Sequence, residues 1–581
     1  MKKHILYTMV ITGAMAMGSC ADSFLDQENT TSLNQETYFD SDEAVEAAIY
    51  PLYNYVWSDF NNKFYYGMGD GRANNITAQY SDYIYPYTNL NETSLTDGLN
   101  DAWNSFYSVV SQANNVINNI KQFSSSAVSE NAKTQGIAQA RFMRGVAMWY
   151  IASLWGDAII YENTSDLVNS YGSEAPYRQA DVMEFAIRDM EYAAKHLNAT
   201  SSVSGFVNKY SAYGMLSRMY LSMAGLIKDG QYNGNDNEIV TNFNRGVRNS
   251  YYLDLARKAA LKVCEEYNGE LESNYGSLFS LVSMNGEAPY YPIEAKANSS
   301  SESLFQLQWI NGSTDAVGWG CTQQITAFFG WSTSVCDGTN WGGATYCSWN
   351  LWCEYDEKDV IRKHFSCAWL NEYYPEMNQK NGGYTYGVDD NPGSQGANIK
   401  KYVVGTNADN GISYKQSSGI NTHMLRLAEV YLNLAEAILG NDASTTDATA
   451  LKYFNKVRSR AGMPEKSSIT YEDLRYERRI EFAFEGQYWY DLVRRAYYQQ
   501  QEVVNYMNNQ NRNASYYTAS TKTYELSPSY VAPGSGVSTA TEQSLLLPYP
   551  ATDQAKDPML SHENVKSFNF QAREVEESDL F

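Results

Sequence analysis

YEDLRYERRIEFAFEGQYWYDLVRR, residues 471–495, alternates ionised and aromatic side chains too densely for a solvated helix. Glu477, Glu481 and Glu485 recur every four residues and so share one helical face, with Arg478, Arg479, Arg494 and Arg495 close enough in sequence to answer them. A helix that carries Ile480, Phe482, Phe484, Tyr488, Trp489 and Leu492 among those charges must bury much of itself, and buried ions require partners. The stretch reads as a structural clasp. Thr470 and Asp473 form an N-capping pair ahead of it, and Gly486 interrupts or ends the first helical run. Paired carboxylates are also what glycoside hydrolysis needs. Arginines beside them would keep them ionised, however, whereas a general acid needs a raised pKa. The chain also has no Gly-x-Ser-x-Gly, phosphate loop or metal-binding histidine pair, which makes a glycoside hydrolase the remote reading and a non-enzyme the expected one.

Upstream of the clasp, apolar residues at helical spacing predict antiparallel helix pairs: 41–52 with 101–120, 133–155 with 180–197, 209–227 with 253–267, and 424–438 with 449–461. In the last pair Met424, Ala428, Tyr431, Ala435 and Ile438 form an apolar stripe, and Arg426, Glu429, Asn433 and Glu436 a polar one. Pairs stacked side by side bury a continuous core, the logic of tetratricopeptide-like solenoids. The expected fold is therefore mainly α, a tetratricopeptide-like helical-pair scaffold with irregular, mostly loop and short-strand insertions. Its divisions are a leader (1–19), a tether (20–40), three helical pairs (41–269), an aromatic-rich insertion (270–415), a fourth pair (416–465) and the signature with an irregular tail (466–581).

The leader sets the compartment. Lys2 and Lys3 precede a short apolar run over 5–17, and Gly18-Ser19 precede Cys20, the pattern of a bacterial lipoprotein signal with Cys20 as the acylated N-terminus. Loss of the leader removes two lysines and no acids, so the net charge of −23 becomes −25. No basic stripe accompanies that charge, which argues against nucleic acid. Aromatics reach 14% while charged residues are only 19%, leaving a neutral, aromatic and amide-rich surface suited to neutral ligands. The other six cysteines allow one or two disulfides in an exported chain. The five histidines are scattered and no Cys-x-x-Cys occurs, so no cofactor or zinc is expected. Acid and amide clusters at 229–237 and 389–391 leave structural calcium open, although neither follows a dedicated ligand pattern and solvated turns are the better reading.

Seven of the twelve tryptophans fall in the insertion, at 309, 319, 331, 341, 349, 352 and 369, and ESLFQLQW (302–309) alternates like a strand. Two stretches suit a ligand. Asp70, Arg72 and Asn74, with Tyr83 and neighbouring tyrosines, place hydroxyl-binding groups beside stacking rings; Trp319, Trp331 and Trp341 are platform candidates, with Tyr290 as an addition. For any one ring the alternative is packing under its own loop. Trp103, Trp149, Trp155 and Trp489 lie on helices or in the signature and are read as core.

Four stretches then match one family. CADSFLDQENTTSLNQETYFDSDEAVEAAIYPLY, ANNVINNI with ARFMRGVAMWYIASLWGD, LRLAEVYLNLAEA with NKVRSRAGMP, and ERRIEFAFEGQYWYDLVRR resemble, in order, the opening, the helical blocks and the C-terminal signature of the SusD/RagB family of surface lipoproteins, partners of TonB-dependent transporters in Bacteroidota. Gly145, Ala147 and Ala158-Ile159 depart from the usual pattern, which bears on local packing and not on membership. The resemblance implies a lipoprotein held on the outer membrane through Cys20, with one face on a SusC-like transporter and another presenting glycan, and ligand contacts in the loop of Asp70. Peptide or glycopeptide cargo is the alternative, favoured if the rings of Trp319, Trp331 and Trp341 prove dispersed or buried.

Overall fold

A computed structural model describes residues 38–78, 84–170, 172–201, 203–231, 242–310, 319–337, 345–387, 397–414, 417–512, 515–518, 521, 523–526 and 538–581. Cys20, Tyr83, Trp341 and most of the calcium candidates lie outside them.

The scaffold is a succession of helices: α1 (Asp42–Ile49), α2 (Leu99–Phe123), α3 (Glu130–Leu154), α4 (Gln179–His196), α5 (Lys209–Leu226) and α6 (Ser250–Glu266), then, beyond the insertion with its short α7 (Trp349–Glu354) and α8 (Val360–Ser366), α9 (Leu427–Leu439), α10 (Ala448–Arg460), α11 (Tyr471–Glu481) and α12 (Tyr488–Asn509). From α2 to α6 each helix packs on the next, α6 packs on α9, and α9 packs on α10. The result is the expected mainly α solenoid. Only the first pair differs, because α1 rests chiefly on α3 rather than α2. Helix α5 shows why the core is continuous. Tyr210 to Leu226 are all buried, since α4, α6, α9 and α12 surround the helix, and the charge among them, Arg218, is paired with Glu429 of α9. The four tryptophans read as core, Trp103, Trp149, Trp155 and Trp489, are buried.

Six short strands brace the insertion and the start of α9: β1 (Ile76–Ala78), β2 (Ser303–Leu307), β3 (Thr345–Cys347), β4 (Cys367–Ala368), β5 (Asn398–Ile399) and β6 (Thr422–Arg426). β2 pairs with β6, and the others form a sheet in the order β1-β3-β5-β4. β6 corrects the expected helix start at Met424. The chain stays extended through Arg426 to pair with β2, and the helix begins at Leu427. The polar stripe of α9 is also buried. Glu429 pairs with Arg218 at 2.5 Å, Glu436 with Arg248 at 2.8 Å and Arg494 at 2.6 Å, and Asn433 bonds Ser217 and Arg478.

At the clasp, Thr470 and Asp473 form a reciprocal capping box, α11 ends at Glu481, and the break before α12 holds Phe484 and Gly486 at φ values of 65° each. The arginines that answer the three glutamates are not those of the stretch itself, because residues adjacent on a helix point about 100° apart. Arg362 of α8 reaches Glu477 at 2.6 Å and Glu481 at 3.3 Å, Arg458 of α10 reaches Glu477 at 2.7 Å, and Arg426 of β6 reaches Glu481 at 3.0 Å and Glu485 at 2.8 Å. Arg460 pairs with Glu481 and with Glu302 at 3.0 Å, and Lys401 with Glu485 at 2.9 Å. Arg478 turns to Asp491, Arg479 to Glu354, Arg494 to Glu436 and Arg495 to Glu472. One buried cluster thus ties the insertion to the C-terminal helices.

All six described cysteines are free, so none of the bridges that the insertion's cysteines allow is formed. Cys347 on β3 and Cys367 on β4 flank β5, and their thiols interact without a bond between them.

Candidate functional site

Asp70, Arg72 and Asn74 are brought together, but in the interior. They lie on and after a wide helical turn, Gly67–Gly71, that packs against the start of α12. The Asp70 carboxylate is fully buried and accepts from the Phe484 N–H at 2.9 Å, the Gly486 N–H at 2.6 Å and the Asn75 amide at 2.8 Å. Burial pushes its pKa up to about 6 against those hydrogen bonds. The Arg72 guanidinium sits 4.5 Å over the Trp489 ring, pairs with Glu92 and donates to the Ser544 carbonyl. Asn74, at a φ of 63°, donates to the Asn511 carbonyl at 3.1 Å while its own carbonyl accepts from Arg479 at 3.0 Å. These groups join the N-terminal body to the clasp, and the expectation of a hydroxyl-binding loop at Asp70, Arg72 and Asn74 is corrected: all three side chains are buried.

Trp331 is corrected likewise. It is 4% exposed, donates its Nε1–H to the Tyr384 hydroxyl at 2.7 Å and packs between Tyr384 and Tyr386. Trp319 opens a short 3-10 turn, Trp319–Cys321, beside the exposed Tyr55, with its side chain outside the described set. Ala78 and Thr345 are cross-strand partners at one end of the sheet, and Tyr83 and Trp341 lie outside the described residues. Tyr290 is half-buried and stacks on His364 at 3.9 Å with the planes 7° apart.

The opposite end of the sheet carries an aromatic patch that residue type and spacing did not single out. Cys347 leads into α7, whose N-cap Ser348 accepts from the Leu351 N–H at 3.1 Å; Leu351 is the helix's buried residue, and Trp352 is left half-buried at its side. Ala368 of β4 leads straight into Trp369. The indoles meet edge to face, 5.9 Å apart, and Tyr524 lies 4.9 Å from Trp352. The stacked pair of His364 and Tyr290 adjoins Trp369, with His364 held by Glu372 at 2.5 Å, and Tyr373 is 48% exposed just beyond. Neither Trp352 nor Trp369 donates its indole N–H to a described acceptor, whereas Trp309 and Trp331 both do. Rings with a free edge and a free donor can lie against the C–H face of a sugar and bond its hydroxyls. No signal in the sequence separates these tryptophans from the buried Trp309 and Trp331.

The carboxylates of the clasp offer no acid catalyst. Burial pushes Glu481 up, but Arg460, Arg426 and Arg362 overcome it and hold the group at about 2, so it cannot donate a proton near neutrality. Glu485 is lowered by Arg426 and Lys401 in the same way, against its own burial. Among the described residues no acid, histidine or cysteine group could hold a metal ion, and Asp229 accepts from the N–H and hydroxyl of Ser250, each at 2.8 Å. No described helix is long and apolar enough to cross a membrane.

Residues 328–565 match the family model described as the SusD family, and residues 23–221 match one described as starch-binding, associating with outer membrane. A SusD-like protein of Bacteroides ovatus is 35% identical over 580 residues, covering 97% of each chain. SusD-like protein P2 of Formosa agariphila is 25% identical over 411 residues, 68% of this chain and 70% of its own. A crystal structure solved with a xylogluco-oligosaccharide is 33% identical, covers 91% of this chain and 100% of that one, and superimposes with a TM-score of 0.77. A SusD homologue from Bacteroides thetaiotaomicron, 18% identical with a TM-score of 0.65 over 92% of this chain and 99% of its own, shares the fold.

Proposed function

The chain belongs to the SusD family, and from that premise we propose that it is a surface lipoprotein, anchored through Cys20, that binds oligo- or polysaccharide and delivers it, uncleaved, to a SusC-like TonB-dependent transporter in the outer membrane. The observation that carries the reading is the end-to-end likeness to a structure that holds a xylogluco-oligosaccharide. The half-buried patch of Trp352, Trp369 and Tyr524 supports it by supplying rings and donors of the kind sugars require. The ionised, arginine-bound glutamates support a binding protein over a hydrolase. Trp319, Trp341 and Tyr83 remain contact candidates from the sequence. Burial of Trp331 counts toward peptide cargo, yet the half-buried indoles of Trp352 and Trp369, with unpaired N–H donors, supply another aromatic surface for sugar.

Affinity electrophoresis of the full chain through a panel of polysaccharides, xyloglucan among them, is expected to show retardation. The Trp352→Ala, Trp369→Ala double variant is expected to bind the retarding glycan at least about tenfold more weakly, a loss of roughly 1.4 kcal/mol, at a temperature where it is still folded. No retardation on any gel, with or without the partner transporter, overturns the reading.

A further inference from the structure

Lys363, on α8, is the cation of the aromatic patch. Its ammonium lies 3.7 Å from the Trp352 ring centroid and 5.8 and 5.9 Å from those of Tyr355 and Trp369. No described carboxylate lies within ion-pair distance, and no described acceptor takes any of its N–H groups. That is unusual in this chain, where acids outnumber Lys and Arg by 66 to 43 and the preceding Arg362 holds Asp359, Glu477 and Glu481 at once. The nearby carboxylates are committed elsewhere: Glu354 to Arg475 and Arg479, and Glu372 to His364. Glu357 stands exposed on the turn before α8.

Aromatic faces attract an ammonium but accept its hydrogen bonds poorly, so they fix where the charge sits without satisfying its donors. Beside it are the free indole N–H groups of Trp352 and Trp369. Three side chains of one patch therefore present donors. A sugar hydroxyl both donates and accepts, and would use half of its capacity there; an ionised carboxylate only accepts, and matches the set.

We propose that the patch of Trp352, Trp369 and Lys363 is a subsite for an acidic sugar, a uronate that packs against the indoles and whose carboxylate meets the Lys363 ammonium. This rests on the glycan-binding reading and narrows it to a glycan that carries carboxylates. Because Lys363 is held by rings and not by an acid, the anion has no internal partner to displace.

The test uses a matched pair of probes, a glucuronic-acid-substituted xylo-oligosaccharide and the same oligosaccharide with the acid reduced to the alcohol, titrated calorimetrically into the full chain. A sulfated galactan oligosaccharide forms a third arm. The acid form is expected to bind at least tenfold tighter than the reduced form, with the gap narrowing as salt is raised. Lys363→Met, which keeps the stem, is expected to abolish the gap at unchanged melting temperature, and Lys363→Arg to retain it. Equal binding of the two probes, tighter binding of the sulfated probe, an equal loss of both in Lys363→Met, or no binding of either overturns the subsite. Where neutral polysaccharides still retard the chain, the glycan reading survives that failure. Where they do not, both fall.

Discussion

Glu481→Ala is expected to destabilise the folded chain by about 3–5 kcal/mol, the cost of removing one partner from a buried ion cluster. Glu481 is fully buried and takes hydrogen bonds from Arg426 at 3.0 Å, Arg362 at 3.3 Å and Arg460. Those arginines come from β6, α8 and α10, elements far apart in sequence. The cluster holds five cations, Arg362, Lys401, Arg426, Arg458 and Arg460, against five carboxylates, Glu302, Asp359, Glu477, Glu481 and Glu485. Loss of one acid leaves a positive charge uncompensated in the core. The pH dependence has a definite sign. Glu481 is held at about 2 in the fold against an ordinary value of 4.5, so its contribution is complete above pH 4.5 and is lost as pH falls toward 2. Urea unfolding followed by tryptophan fluorescence is expected to show the full gap between wild type and variant at pH 7 and a shrinking gap below pH 4.5. A gap independent of pH would mean that the carboxylate acts by packing alone. Glycan affinity of the folded variant is expected to be unchanged, because Arg362 keeps Asp359 and Glu477 and continues to seat α8 beneath Lys363.

The clasp shows which part of this molecule a sequence can disclose. Its density of charges among aromatics announced burial, and Thr470 with Asp473 fixed its start to the residue, since a capping box is a local arrangement. The partners of its glutamates were not legible. Arg362 lies 115 and Arg426 59 positions from the acids they bond, and nothing local encodes such a pairing. Helix periodicity likewise located α2 to α6, while Met424 was misplaced because an apolar residue fits a strand end and a helix start equally well. At the site, residue type indicated ligand chemistry but not exposure. Asp70, Arg72, Asn74 and Trp331 have the right functional groups but are buried, whereas Trp352 and Trp369 differ from Trp331 only in what the fold places over them.

Asp70→Ala should cost about 3–5 kcal/mol by a different route, leaving two buried backbone N–H groups and one amide without an acceptor, at roughly 1–3 kcal/mol each before relaxation. The two backbone donors, Phe484 and Gly486, both adopt left-handed φ values, and a Cβ on Gly69 would come within 2.4 Å of the Gly486 backbone. The break between α11 and α12 thus has no slack in which to find other acceptors. Asp70 titrates in the opposite sense to Glu481. Its folded value of about 6 lies above the ordinary 3.8, so between those values the folded chain keeps a proton that the unfolded chain releases, and stability falls as pH rises from about 4 to 6. Two units correspond to roughly 3 kcal/mol. Asp70→Asn keeps one acceptor oxygen and cannot ionise; it is expected to be less damaging than alanine and to remove the decline between pH 4 and 6. Unfolding free energies of wild type and both variants at pH 4, 5, 6 and 7 distinguish these effects. An Asp70→Asn chain of wild-type stability that no longer retards on its glycan gel would return Asp70 to the ligand and show that the joint it makes with Phe484 and Gly486 opens to admit one.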